Sequence, residues 1–118
     1  MATPLKAISK CEKRMTDSVK ITSWHNEETP TRDQLWRIMT DEGVSPYAWS
    51  NGPLDVYSAH THGYDKVIYV VSGSITFGLP ELERNVTLFP GDRLDLPKGT
   101  LHDALVGKDG VVCLEGHL

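Results

Sequence analysis

From Gly43 onward the chain is punctuated: short apolar stretches recur every eight to twelve residues, each closed by turn chemistry. The stretches fall near 47–50, 54–62, 66–71, 74–79, 85–89, 92–96, 102–106 and 111–117. Between them lie Asn51-Gly52-Pro53, Ser72-Gly73, Pro80-Glu81, Pro90-Gly91, Pro97-Lys98-Gly99 and Gly107-Lys108-Asp109-Gly110. Glycine reaches positive φ without strain, and proline fixes φ while withholding an N–H, so these segments turn rather than extend. No second helical pattern of adequate length separates the stretches, which disfavours a parallel βαβ sheet. The expected architecture is all-β, a sandwich or a barrel of short strands.

One helix is expected ahead of the strands. Thr31 is its N-cap, and Gln34 three residues later completes a capping-box pattern. Leu35, Ile38 and Met39 form one apolar stripe, read as packing on the sheet, and Gly43 ends the helix in a left-handed conformation. A length of 118 residues fits one domain. Residues 1–30 are read as an N-terminal extension and 31–118 as the single domain.

Charge narrows the partners. Residues 1–20 carry Lys6, Lys10, Lys13, Arg14 and Lys20 against Glu12 and Asp17, whereas the rest is acidic and brings the net charge to −4. An acidic body repels phosphate backbones, so no nucleic-acid partner is expected. The basic stretch lacks the apolar core of a secretory signal and is read as a solvated tail. The longest apolar run, Val67 to Val71, is far shorter than the roughly 20 residues that span a bilayer, so no membrane segment is expected. Cys11 and Cys113 form no closely spaced pair, which points to a reduced, cytoplasmic setting. Cys113 lies in an apolar run and reads as a small buried hydrophobe.

The chemistry is concentrated in histidines. His60 and His62 are one residue apart in an expected strand, so both imidazoles project from one face, about 7 Å apart at Cα. The Pro97-Lys98-Gly99 turn can bring His102 opposite that strand. Three neutral imidazoles with open remaining positions make a transition-metal site for Fe, Mn, Ni or Zn. His25 and His117 read as surface residues. Trp49, Tyr57, Tyr69 and Phe77 are candidates to line a pocket, although aromatics in a barrel are usually core. Alternation from His60 points Val56 and Ser58 inward and Tyr57 outward. Glu115, between apolar neighbours in the last strand, either faces the cavity or lies at an edge.

These residues resemble the two motifs of the cupin superfamily. The first ends in His-x-His followed by a glutamate and a glycine; here His60-Thr61-His62 leads to Lys66 and then Gly73. The second is matched by Gly91, Pro97, Gly99 and His102, with Val106 at its final asparagine position. The match covers roughly residues 54–106. The resemblance implies a cupin-type double-stranded β-barrel, or jelly roll, often a homodimer, with a divalent metal ion in its mouth. It carries ligation onto His60, His62 and His102 and leaves the fourth ligand unassigned, because lysine is a poor metal ligand. Lys66 either points outward into solvent or faces the cavity, paired with Asp65, Glu115 or Asp103, where it can anchor an anionic substrate. Lys66 and Glu115 are thus the candidate substrate-binding residues. The implied function is that of a metal-dependent enzyme of dioxygenase or isomerase type on a small polar organic molecule. The alternatives are a non-catalytic binder of a small anionic ligand and a barrel that has lost its metal.

Overall fold

The computed structural model describes residues 19–118; the readings made for residues 1–18, including Cys11, lie outside them. In chain order the elements are β1 (Lys20–Thr22), α1 (Arg32–Asp41), β2 (Tyr47–Asn51), β3 (Val56–His60) and β4 (Lys66–Leu79). A 3-10 turn (Pro80–Leu82), β5 (Arg84–Leu88), β6 (Arg93–Leu96) and β7 (His102–His117) complete the chain.

The helix forms as its sequence dictates. The Thr31 hydroxyl accepts the Gln34 N–H at 3.1 Å, and the Thr31 N–H donates to Gln34 Oε1 at 2.8 Å. Gly43, at φ 81°, turns the chain out of the helix. Leu35 and Met39 are buried and Ile38 is partly buried, so the stripe does pack on the sheet.

All strand pairings are antiparallel, and β4 and β7 are the spine. The first part of β4 pairs with β6, its last part with β5, and β7 lies along almost its whole length. In the same way β7 pairs with β3 through its first part and β2 through its second. Each long strand therefore crosses from one wall of the barrel to the other. The Lys20–Thr22 segment pairs with β6 at the sheet edge, and the Trp24 N–H donates to Asp92 Oδ1.

Two expected strand breaks are not breaks. The stretches 66–71 and 74–79 form the single strand β4, and 102–106 and 111–117 form the single strand β7. Gly73 and Gly110 do adopt positive φ, 76° and 78°, but within a continuous ladder whose register shifts between Val70 and Ile75. A bulge bends a strand and adds twist without ending it. Gly73 backs onto Gly110 at the bend, where a Cβ on it would collide with the Gly110 carbonyl, while Gly110 itself faces the Asn51 carbonyl.

Two cores result. Ile68, Val70, Ile75, Phe77, Val106 and Cys113 fill the barrel, whereas Val67, Tyr69 and Leu114 pack under α1 against Leu35 and Met39. The Val67–Val71 run is apolar on both faces because both faces are covered. Cys113 is fully buried, and burial pushes its thiol up to about 12, as expected of a small hydrophobe.

The two classes of glycine can be separated by substitution. Gly99→Ala meets open space at φ 79° and should cost only the left-handed backbone strain, about 1–2 kcal/mol. Gly73→Ala adds a backbone collision and should cost distinctly more. Urea denaturation of both variants checks this; equal losses would mean that the bend relaxes freely.

Candidate metal centre

Each imidazole is placed by a different piece of backbone. His60 ends β3 and is the register partner of His102, which begins β7, so these two rings are cross-strand neighbours. His62 lies beyond the end of β3, and its position is set by the second motif. The Gly99 N–H bonds the His62 carbonyl at 2.8 Å from a turn that Gly99 closes at φ 79°. The ring centroids lie 4.7 Å (His60–His62), 4.4 Å (His60–His102) and 5.2 Å (His62–His102) apart. One nitrogen from each ring falls within 4.8 Å of the others. The histidines singled out in the sequence are thus brought together.

Their nitrogens are oriented for ligation. His60 Nδ1 donates to the Ser58 carbonyl at 2.6 Å and His102 Nδ1 to the Thr100 carbonyl at 2.9 Å. A carbonyl only accepts, so these bonds fix the protons on Nδ1 and leave a lone pair on each Nε2. His62 Nδ1 lies 3.1 Å from the Tyr64 hydroxyl, while its Nε2 is buried with no hydrogen-bond partner among the described residues. Burial holds His102 down to about 4, and burial followed by the nearby Lys66 charge lowers His62. Imidazoles neutral at pH 7 are the form a metal ion takes. The orphaned Nε2 and the carbonyl-anchored rings fit a divalent first-row metal.

Lys66 points inward. It shares the inward face of β4 with Ile68 and Val70, is 7% exposed, and lies 3.6 Å from Glu115 Oε1. Glu115 faces the barrel with Cys113, two residues before it, and is no edge residue. Its Oε2 accepts the Tyr47 hydroxyl at 2.6 Å and His117 Nε2–H at 3.0 Å, and its Oε1 accepts the Trp49 indole N–H at 3.0 Å. Burial alone would raise the Glu115 carboxyl, but the hydrogen bonds and Lys66 together hold it below the ordinary carboxylate range. At 3.6 Å and an effective dielectric of about 20 the ion pair is worth about 5 kcal/mol. Desolvating two ions costs several kcal/mol each, so the pair stands only with those added hydrogen bonds. Glu115 is a counter-charge that three hydrogen bonds hold in its ionised form.

His60 and His62 line a cavity of about 310 Å³ together with Trp49, Tyr57, Tyr64, Lys66 and Glu115, and His102 is buried beside them. Tyr57 faces this cavity, against the alternation reading, and Val56 is 72% exposed with Ser58 also exposed. The register shift between Tyr57 and His60 exchanges the faces of β3. Trp49 lines the cavity, whereas Phe77 belongs to the barrel core and Tyr69 to the layer under α1. Sequence reasoning missed Tyr47, Tyr64 and His117. His117 was legible by parity, because it sits two residues after Glu115 and opposite Lys66 in the ladder.

No family model and no curated protein matches the sequence. Solved structures do match. A cupin-2 domain protein from Shewanella frigidimarina aligns with a TM-score of 0.52 and 20% identity, over 61% of this chain and 67% of that one. A cupin superfamily protein from Desulfitobacterium hafniense gives 0.56 and 16%, over 85% and 76%. A DMSP lyase from Ruegeria pomeroyi gives 0.57 and 20%, over 63% of this chain and 37% of the lyase. The fold is that of the cupins, the double-stranded β-barrel. Within it the described residues place a three-histidine group able to hold a metal ion.

The counter-charge role of Glu115 has a measurable consequence. Glu115→Ala leaves a buried ammonium unpaired and should destabilise the protein by about 3 kcal/mol in urea, with Lys66→Met/Glu115→Gln recovering most of it. A loss below about 1 kcal/mol would show that the ammonium escapes to solvent.

Proposed function

We propose that this protein is a small metal-dependent cupin. His60, His62 and His102 would hold one divalent first-row ion (Fe, Mn, Ni or Zn) beside the cavity that His60 and His62 line. The observation that carries this reading is the buried His62 Nε2, which has no hydrogen-bond partner beside two rings whose Nε2 lone pairs are freed by carbonyl-anchored Nδ1 atoms. The bound ion would supply Lewis-acid polarisation to a small polar organic molecule in the cavity. The activity class is an enzyme of dioxygenase or isomerase type, and one of the solved structures sharing the fold is a lyase. The chain's own contribution is positional: Ser58 and Thr100 carbonyls hold two rings, Tyr64 holds the third, and Trp49 and Tyr57 wall off water.

Titrating metal-free protein with Zn(II), Mn(II), Ni(II) or Fe(II) should give one equivalent bound and a raised Tm. His102→Ala should weaken binding by about a hundredfold, or about 3 kcal/mol. Stoichiometric metal retained in a His60→Ala/His102→Ala protein would overturn the assignment. Oxygen uptake after anaerobic Fe(II) loading then separates the dioxygenase type from the isomerase type.

We also propose a homodimer. Among the described residues β3 pairs with β7 alone, and its other edge has no strand beside it. Its register partners Val56 and Leu105 are 72% and 49% exposed, beside Leu54 at 63%. An open edge bordered by apolar side chains is covered most simply by a second copy across a two-fold axis. Light scattering should report about twice the chain mass, and Val56→Lys/Leu105→Lys should return it to one; a wild-type value of one chain would refute the dimer.

A further inference from the structure

The cavity beside the imidazoles holds a cation that the protein does not fully satisfy. The side chain of Lys66 is 9% exposed, and its ammonium is 3.6 Å from Glu115, longer than a hydrogen bond. At that distance Glu115 neutralises the charge without accepting a hydrogen bond from the ammonium, while it accepts from Tyr47, Trp49 and His117. The ammonium therefore keeps donors free on the side of the cavity it lines. The metal-competent group among the described residues contains three histidines and no carboxylate. Three neutral ligands leave a dication its full charge, so both positive centres of the cavity favour the same kind of partner.

We propose that the ligand of this cavity is a small organic carboxylate, its anionic group shared between Lys66 and the metal on His60, His62 and His102. This deepens the metal-dependent reading above and rests on it. The walls distinguish an organic acid from an inorganic anion, because Trp49, Tyr57, Tyr64, Ile75 and Ala104 offer ring faces and apolar carbon. Phosphate or sulfate gains nothing from such a surface, whereas a carboxylate on a carbon body buries it. A volume of about 310 Å³ suits a small acid.

The test uses the full chain loaded with Co(II), whose visible spectrum reports on its ligands, titrated with benzoate, pyruvate and succinate. Benzamide serves as the neutral control and inorganic phosphate as the carbon-free anion. At least one carboxylate should bind, shift the Co(II) band and give a calorimetric signal, and benzamide should not. Lys66→Met should weaken that carboxylate at least tenfold without weakening Co(II), and Lys66→Arg should largely retain it. Should Lys66→Met fail to melt cooperatively, Lys66→Met/Glu115→Gln gives the same reading without a buried unpaired charge. Carboxylate affinity unchanged on removing Lys66, binding by none of the three acids, or tighter binding of phosphate would each overturn the proposal. Failure to take up Co(II) refutes the metal reading separately. The same acids are then titrated against metal-free protein, where a lysine-dependent affinity keeps the carboxylate claim and its absence removes it.

Discussion

Everything in this barrel depends on one pairing, that of β4 with β7. The ladder runs from Lys66 opposite His117 to Gly78 opposite Asp103. Because side chains alternate, its register decides which residues meet inside and which lie under α1. Ile68 and Val70 with Cys113 go to the barrel core, and Val67 and Tyr69 with Leu114 go to the layer under the helix. The same parity puts Lys66 beside Glu115. A slip of one residue would exchange the set packed in the barrel with the set packed under the helix, so the charged pair is fixed by the packing of its apolar neighbours.

The bend in that ladder explains which parts of the structure could be read from the sequence. Thr31, Gln34 and Gly43 act locally, and the helix they delimit follows from their chemistry alone. The spacing of Pro97, Gly99 and His102 also acts over a few residues, and it places His102 where the histidine pair needs it. Alternation fails wherever a bulge intervenes. Inward residues of β4 are even-numbered at Ile68 and Val70 but odd-numbered at Ile75 and Phe77, and β7 changes parity likewise between Val106 and Val111. Gly73 and Gly110 are visible as punctuation, yet whether a glycine ends a strand or bends it depends on what lies opposite. Here Gly73 lies against the Gly110 carbonyl, and Gly110 against that of Asn51. The same reason hides the inward turn of Tyr57, because the shift between Tyr57 and His60 answers to the partner strand.

Charge placement was the least legible feature. Position 66 reads as a lysine where the cupin motif has a carboxylate, and alternation alone cannot orient it. Only the fold shows that a carboxylate is still present, supplied by Glu115 of the paired strand and held there by Tyr47, Trp49 and His117. Each of those groups lies on a different segment or register position, so no short motif contains them.

This exchange changes what the site can accept. A carboxylate at position 66 would reach toward the imidazoles and cancel part of a metal's charge. Glu115 lines the cavity beside the lysine instead and accepts from an indole, a phenol and an imidazole, so it lends the cavity neutrality with most of its lone pairs engaged. The cavity surface then combines a primary ammonium and its carboxylate partner, the His60 and His62 imidazoles and aromatic walls. A cationic molecule entering it meets like charge in a low-dielectric pocket, where repulsion is several times stronger than in water. A neutral molecule can accept the ammonium's hydrogen bonds but gains no charge–charge attraction. An anion gains both, so under the carboxylate proposal the Lys66–Glu115 arrangement would favour anionic ligands over neutral and cationic ones.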